Sequence, residues 1–114
     1  MAELDVNEQP VDGVPRVSLS GRLDIDTAPE LRHVLNRYVE DEVPALILDL
    51  SGLDYMDTSG LATVVEAHSR LDGHGGRVVL CGLSGSVLEV FTMNEVAGIF
   101  TIVEDAEAAA EELR

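Results

Sequence analysis

Two short apolar runs alternating with longer amphipathic stretches constrain this chain more than any other feature. ALILDL (45–50) and RVVLCGL (77–83) are nearly continuous in apolar residues and too short for helices, the pattern of strands covered on both faces. Before and between them, apolar residues recur at helical spacing. Leu31, Val34, Leu35, Tyr38 and Val39 form one stripe, and Leu61, Val64, Val65, His68 and Leu71 form another. Strands alternating with helices predict right-handed crossovers and a mainly parallel sheet.

The flanking segments extend the pattern. VPRVSLS (14–20) alternates apolar and polar residues and predicts a strand ending at Gly21, and AELDVNE (2–8) predicts an antiparallel strand before it, with QPVDG as the turn. TAPE (27–30) has the form of a helix start, with Thr27 as cap, Pro29 in the first turn and Glu30 completing a capping box. Ser84 is expected to cap a short helix with Val87, Leu88 and Phe91 inward. IFTIV (99–103) reads as a last strand and DAEAAAEEL (105–113) as a terminal helix. The expectation is one α/β domain spanning residues 1–114, with four to five strands in a mainly parallel sheet and an antiparallel N-terminal edge.

Composition narrows the function. Apolar residues make up 46% of the chain, but with two Phe, two Tyr and no Trp the core must be aliphatic. There are 22 acids against seven bases, a formal net charge of −15, and every base is arginine. Such a surface repels nucleic acid and anionic membranes and suits a basic protein partner. The absence of lysine excludes any mechanism built on a catalytic or phosphate-binding lysine. No signal peptide or membrane span is legible at MAELDVNEQP or beyond, which predicts a cytoplasmic protein. Cys81 lies in an apolar run and reads as a buried thiol, and one cysteine with three scattered histidines calls for no metal. Nothing calls for a cofactor.

Candidate chemistry concentrates in LDYMDTSGLAT (53–63), between an apolar strand and an apolar-periodic helix. Asp57 is a good N-cap, which puts Thr58, Ser59 and Gly60 in the first helical turn. Unpaired N–H groups and the positive end of the helix dipole point outward there, so the position tolerates an added phosphate. The same residues also fit a plain cap and tight turn. Catalytic readings fare worse. D-T-S-G differs from the aspartic-protease triplet, with its glycine one place too late. GLSGS (82–86) lacks the final glycine of a nucleophile elbow and any complete triad. GHGG (73–76) follows a helix and precedes a strand, the reverse of a P-loop. A receiver domain with Asp49 as phosphoacceptor would need a lysine. His68, on an apolar stripe, reads as a core or boundary histidine satisfied by a hydrogen bond.

Three segments resemble the STAS domains of bacterial anti-sigma factor antagonists: GRLDIDTA (21–28), LILDLSGLDYMDTSGL (46–61) and GGRVVLCGL (75–83). The similarity runs nearly end to end, and the short chain suggests the stand-alone regulator. The resemblance implies no enzymatic activity but a partner switch. The hydroxyl residue after the aspartate, here Thr58 with Ser59 as second choice, would be phosphorylated by an anti-sigma factor serine kinase and restored by a serine phosphatase. Many family members carry serine at the Thr58 position. The family's partner-binding residues carry over to Asp24, Asp57, Thr58, Ser59 and Gly60. STAS-like domains also serve as accessory subunits of lipid-transport ATPase complexes, which is the alternative use of the same surface.

Overall fold

A computed structural model describes residues 3–114. The elements run β1 (Leu4–Glu8), β2 (Arg16–Leu23), α1 (Ala28–Glu40), β3 (Ala45–Met56), α2 (Thr58–Asp72), β4 (Arg77–Cys81), α3 (Gly85–Met93), a 3-10 turn (Ala97–Ile99), β5 (Thr101–Val103) and α4 (Ala106–Glu112). The five strands lie in the sheet in chain order. β1 pairs antiparallel with β2 and every other neighbouring pair is parallel. The predicted architecture is therefore the observed one; Ala2, the first residue of the predicted first strand, lies outside the described residues.

Chain order explains the layering. Each parallel connection steps one strand in the same direction, so crossovers of one hand place their helices on one face. Leu31, Leu35 and Val39 of α1, Leu61, Val64 and Leu71 of α2, and Val87 and Phe91 of α3 share one core with Leu46, Leu48, Val78 and Leu80 of the sheet. The intervening residues Ile47, Val79 and Cys81 point to the opposite face, where Ala106, Ala109 and Ala110 of α4 cover them. A strand's side chains alternate between faces, so apolar runs in β3 and β4 serve both layers. Small alanines let α4 lie close to the sheet.

Several local expectations are corrected. The strand predicted at 45–50 continues to Met56, twelve residues in all. Two register shifts in the β2–β3 ladder, at Ser18/Ser20 and Gly21/Arg22, break simple alternation and let Leu53 and Met56 both turn inward. Gly52 sits where a side chain would collide, since a Cβ there would lie 2.7 Å from Ser20 Cβ. The second strand starts later and runs further than 14–20. The fourth strand stops at Cys81 rather than residue 83. In α3, Val87 and Phe91 take the inward positions and Leu88, one residue on and about 100° around the helix, is 40% exposed. Of IFTIV only residues 101–103 form a strand. Ile99 closes the 3-10 turn, while Phe100 is buried and meets Phe91 edge-on at 5.6 Å.

The sheet is not uniformly wide. β4 pairs with β3 only as far as Asp49, whereas on the other side of β2 the Arg22 N–H still donates to the Glu3 carbonyl at 2.7 Å. Beyond Asp49, β3 has β2 as its only strand neighbour among the described residues, through Arg22↔Tyr55 to Leu23↔Met56.

Candidate functional site

The paired tip of β2 and β3 assembles the predicted residues. Leu23 and Met56 are register partners, and Asp24 and Asp57 are the residues that follow them. The Asp57 N–H donates to the Leu23 carbonyl at 3.1 Å, which fastens the start of α2 to the end of β2. The two aspartates therefore leave adjacent strand ends side by side.

Asp57 is the N-cap of α2, with an extended backbone. Its Oδ1 accepts from the N–H groups of Ser59 at 2.9 Å and Gly60 at 3.1 Å, satisfying two of the helix's free donors. Thr58 is the first helical residue and is exposed. Its hydroxyl takes part in no hydrogen bond among the described residues, whereas Thr63, one turn on, ties its hydroxyl to the Ser59 carbonyl at 3.1 Å. Ser59 is half-buried and Gly60 is buried. Gly60 has a packing reason to lack a side chain: a Cβ there would stand 2.6 Å from Leu23 Cγ. The glycine lets α2 settle directly onto the end of β2.

Asp24 holds the neighbouring loop. Its Oδ1 accepts from the Asp26 N–H at 3.0 Å and the Thr27 N–H at 3.2 Å. Thr27 makes no capping bond to α1, contrary to expectation, and no capping box forms with Glu30. Instead the Thr27 hydroxyl turns back to the strand end. It donates to the Arg22 carbonyl and accepts from the Asp24 N–H, both at 2.9 Å. A side chain 9% exposed meets its hydrogen-bonding needs inside this loop rather than on the helix.

Sequence reasoning missed three neighbours. Arg22 lies 3.7 Å from Asp24 Oδ2 and 3.6 Å from Glu3, and its guanidinium sits 4.3 Å over the Tyr55 ring. Ile25, beside Asp24, is 70% exposed. Arg22 and Tyr55 occur within the motif segments, but only the β2–β3 register brings them together. The tip is thus not uniformly acidic: a stacked arginine, an aromatic ring and an exposed isoleucine border the two aspartates.

The other candidates are structural. Cys81 is buried, and that burial pushes its thiol up to about 12. His68 is not the hydrogen-bonded histidine expected: its Nδ1 is buried without a partner among the described residues. The ring instead packs at 4.9 Å from that of Phe100, an aromatic neighbour that offers no acceptor in the ring plane. GHGG lies just after α2, where the Gly76 N–H closes onto the Leu71 carbonyl at 2.8 Å. Ser84 stands at the start of α3 without a side-chain capping bond. Among the described residues no group of three or more His, Cys, Asp or Glu is arranged to hold a metal, and no helix is long and apolar enough to cross a membrane.

Fold and site define a class: a small α/β domain that offers a free hydroxyl at the mouth of a helix, with two carboxylates beside it. Comparison with known proteins specifies it further. The STAS domain family profile matches residues 5–109. The chain is 31% identical over 101 residues to the anti-sigma-B factor antagonist of Listeria monocytogenes, covering 89% of this chain and 85% of that one. The crystal structure of an anti-sigma factor antagonist from Mycobacterium paratuberculosis superposes with a TM-score of 0.87 at 24% identity, over 96% of this chain and 92% of the other. The Bacillus cell fate determinant SpoIIAA, solved in its phosphorylated form, has the same fold, with a TM-score of 0.76 at 21% identity over 96% of this chain and 100% of that one. The chain belongs to the STAS domain family.

Proposed function

We propose that this chain is an anti-sigma factor antagonist that works by partner switching in the cytoplasm, without catalytic activity of its own. In the unmodified state the tip around Asp24, Asp57 and Thr58 docks on an anti-sigma factor that is also a serine kinase, and sigma factor is released. Phosphorylation of Thr58 ends that contact, and a serine phosphatase restores it. The observation that carries this reading is the Thr58 hydroxyl, exposed in the first turn of a helix capped by its neighbour and without a hydrogen-bond partner among the described residues. Ser59, half-buried behind it, is the second choice. The relatives that bear the anti-sigma factor antagonist name point the same way.

The physics of the position suits a switch. A phosphate adds about −1.5 to −2 charges, and the helix N-terminus favours that charge by about 0.3–1 kcal/mol, so the fold tolerates it. A partner docked against the tip meets new bulk and a dianion beside two carboxylates. A loss of about 2.8 kcal/mol weakens binding a hundredfold, well within the reach of such a change.

The test is to incubate the protein with ATP and the kinases encoded near its gene, then map phosphate by mass spectrometry. Phosphate on Thr58, loss of kinase binding by Thr58→Glu and retained binding by Thr58→Ala are expected. Absence of phosphate from both Thr58 and Ser59 refutes the switch.

A further inference from the structure

The far end of β2 carries a second feature that the switch does not use. β2 runs eight residues from Arg16 to Leu23, so at about 3.3 Å per residue Arg16 lies roughly 23 Å from the tip that holds Asp24. Beside Arg16, between the β1–β2 turn and the C-terminal part of α1, is a cleft of about 240 Å³.

Arg16 is unusual among the seven arginines. Arg22, Arg32, Arg37, Arg70, Arg77 and Arg114 each have a carboxylate within salt-bridge distance. Arg16 has none among the described residues, in a chain with 22 acids. It is half-buried, and its Nε donates to the Gln9 carbonyl at 3.0 Å. That bond orients the guanidinium, and both terminal amino groups lack a partner among the described residues, a fork that matches two oxygens of one anion.

The rest of the cleft is apolar in character. Pro10, Pro15 and Tyr38 line it together with Glu8. Glu8 is already occupied: Oε1 accepts from the Tyr38 hydroxyl and Oε2 from Arg37 Nη2, both at 2.6 Å. Its charge is compensated by Arg37, and the Tyr38 hydroxyl is held at the wall, so the tyrosine contributes its ring. The volume falls below the roughly 300–1,000 Å³ typical of drug-sized ligands, which suits a small occupant.

We propose that this cleft binds a small ring-bearing carboxylate, its two oxygens on the Arg16 guanidinium and its ring against Pro10, Pro15 and Tyr38. The site is independent of the partner switch at Thr58, and loss of either leaves the other standing.

Titration of the full chain with benzoate, followed by amide NMR, tests the assignment, with benzamide as the uncharged isostere. Saturable movement of the Gln9, Gly13 and Arg16 amides in the millimolar range is expected, with Thr58 unmoved. Benzamide should bind at least about tenfold more weakly, and Arg16→Gln should weaken benzoate by a similar factor. Failure to saturate, equal binding of benzamide, or undiminished benzoate binding by a folded Arg16→Gln variant overturns the proposal. The benzamide comparison uses the unmodified chain, so it decides the matter even if Arg16→Gln does not fold.

Discussion

Gly60 offers a prediction in which two known effects oppose each other in sign. Alanine in place of a helical glycine ordinarily stabilises by about 0.5–1 kcal/mol. Here the added methyl would lie 2.6 Å from Leu23 Cγ, 2.8 Å from Leu23 Cδ2 and 3.2 Å from the Leu23 carbonyl oxygen. Leu23 is 0% exposed, so it has no solvent into which to retreat, and overpacking of this kind costs about 1–3 kcal/mol. Gly60→Ala should therefore destabilise by about 1–2 kcal/mol, which lowers Tm by roughly 4–8 °C in a domain of this size. Leu23→Ala removes the two carbon atoms in the closest contacts. In that background, itself weakened by about 2–5 kcal/mol, Gly60→Ala should be neutral or stabilising. Thermal and urea unfolding of the four proteins, followed by circular dichroism, measures the cycle, with an expected coupling of about 1 kcal/mol or more. A Gly60→Ala protein that melts higher than the parent refutes the claim that close packing on Leu23 explains the glycine.

Other expectations rest on single features. Asp57→Ala deletes the carboxylate that accepts from Ser59 and Gly60 and should lower stability by about 1 kcal/mol in urea titrations, while Asp57→Asn, which can cap equally well, should cost much less. Burial, then the bond to Glu8, pushes the Tyr38 hydroxyl from its ordinary 10 up to about 12, and burial first among its causes pushes Cys81 from 9 to about 12. The native state thus holds both protons at pH values where the unfolded chain has released them, so stability is intact below pH 9 and declines toward pH 12. The urea midpoint should fall across that window, less steeply in Tyr38→Phe; a flat profile contradicts the assignment. With a net charge of −15, self-repulsion should ease as ionic strength rises, so Tm should increase from low salt to physiological salt, and no change would mean that the charges are too dispersed to matter.

What was legible from sequence follows from the range of the forces involved. The capping of α2 by Asp57 depends on residues three apart and could be read directly from D-T-S-G. The two-layer core was legible because strand and helix periodicities are local. Thr27 was misread because its alternative partner, the Arg22 carbonyl, becomes available only when the loop folds back on the strand end. The full length of β3 was missed because its continuation needs the shifted register with β2, a long-range property with no local sign beyond the Ser51–Gly52 interruption. Arg22 and Tyr55 were overlooked for the same reason, being 33 positions apart in sequence and in contact only through that register. Leu88 and Val87 are equally apolar, and nothing local decides which of the two turns inward; packing of α3 on the sheet buries Val87 and leaves Leu88 at the rim.

The stretch of β3 past Asp49, where β4 no longer accompanies it, gives the tip a mechanical character of its own. A strand paired on one side only twists and flexes more readily than one inside a wide plate of strands. Whatever grips its end could tilt the aspartates and the hydroxyl together, leaving the plate unstrained. Amide exchange should show the boundary, with Tyr55 opening more often than Leu48 of the same strand.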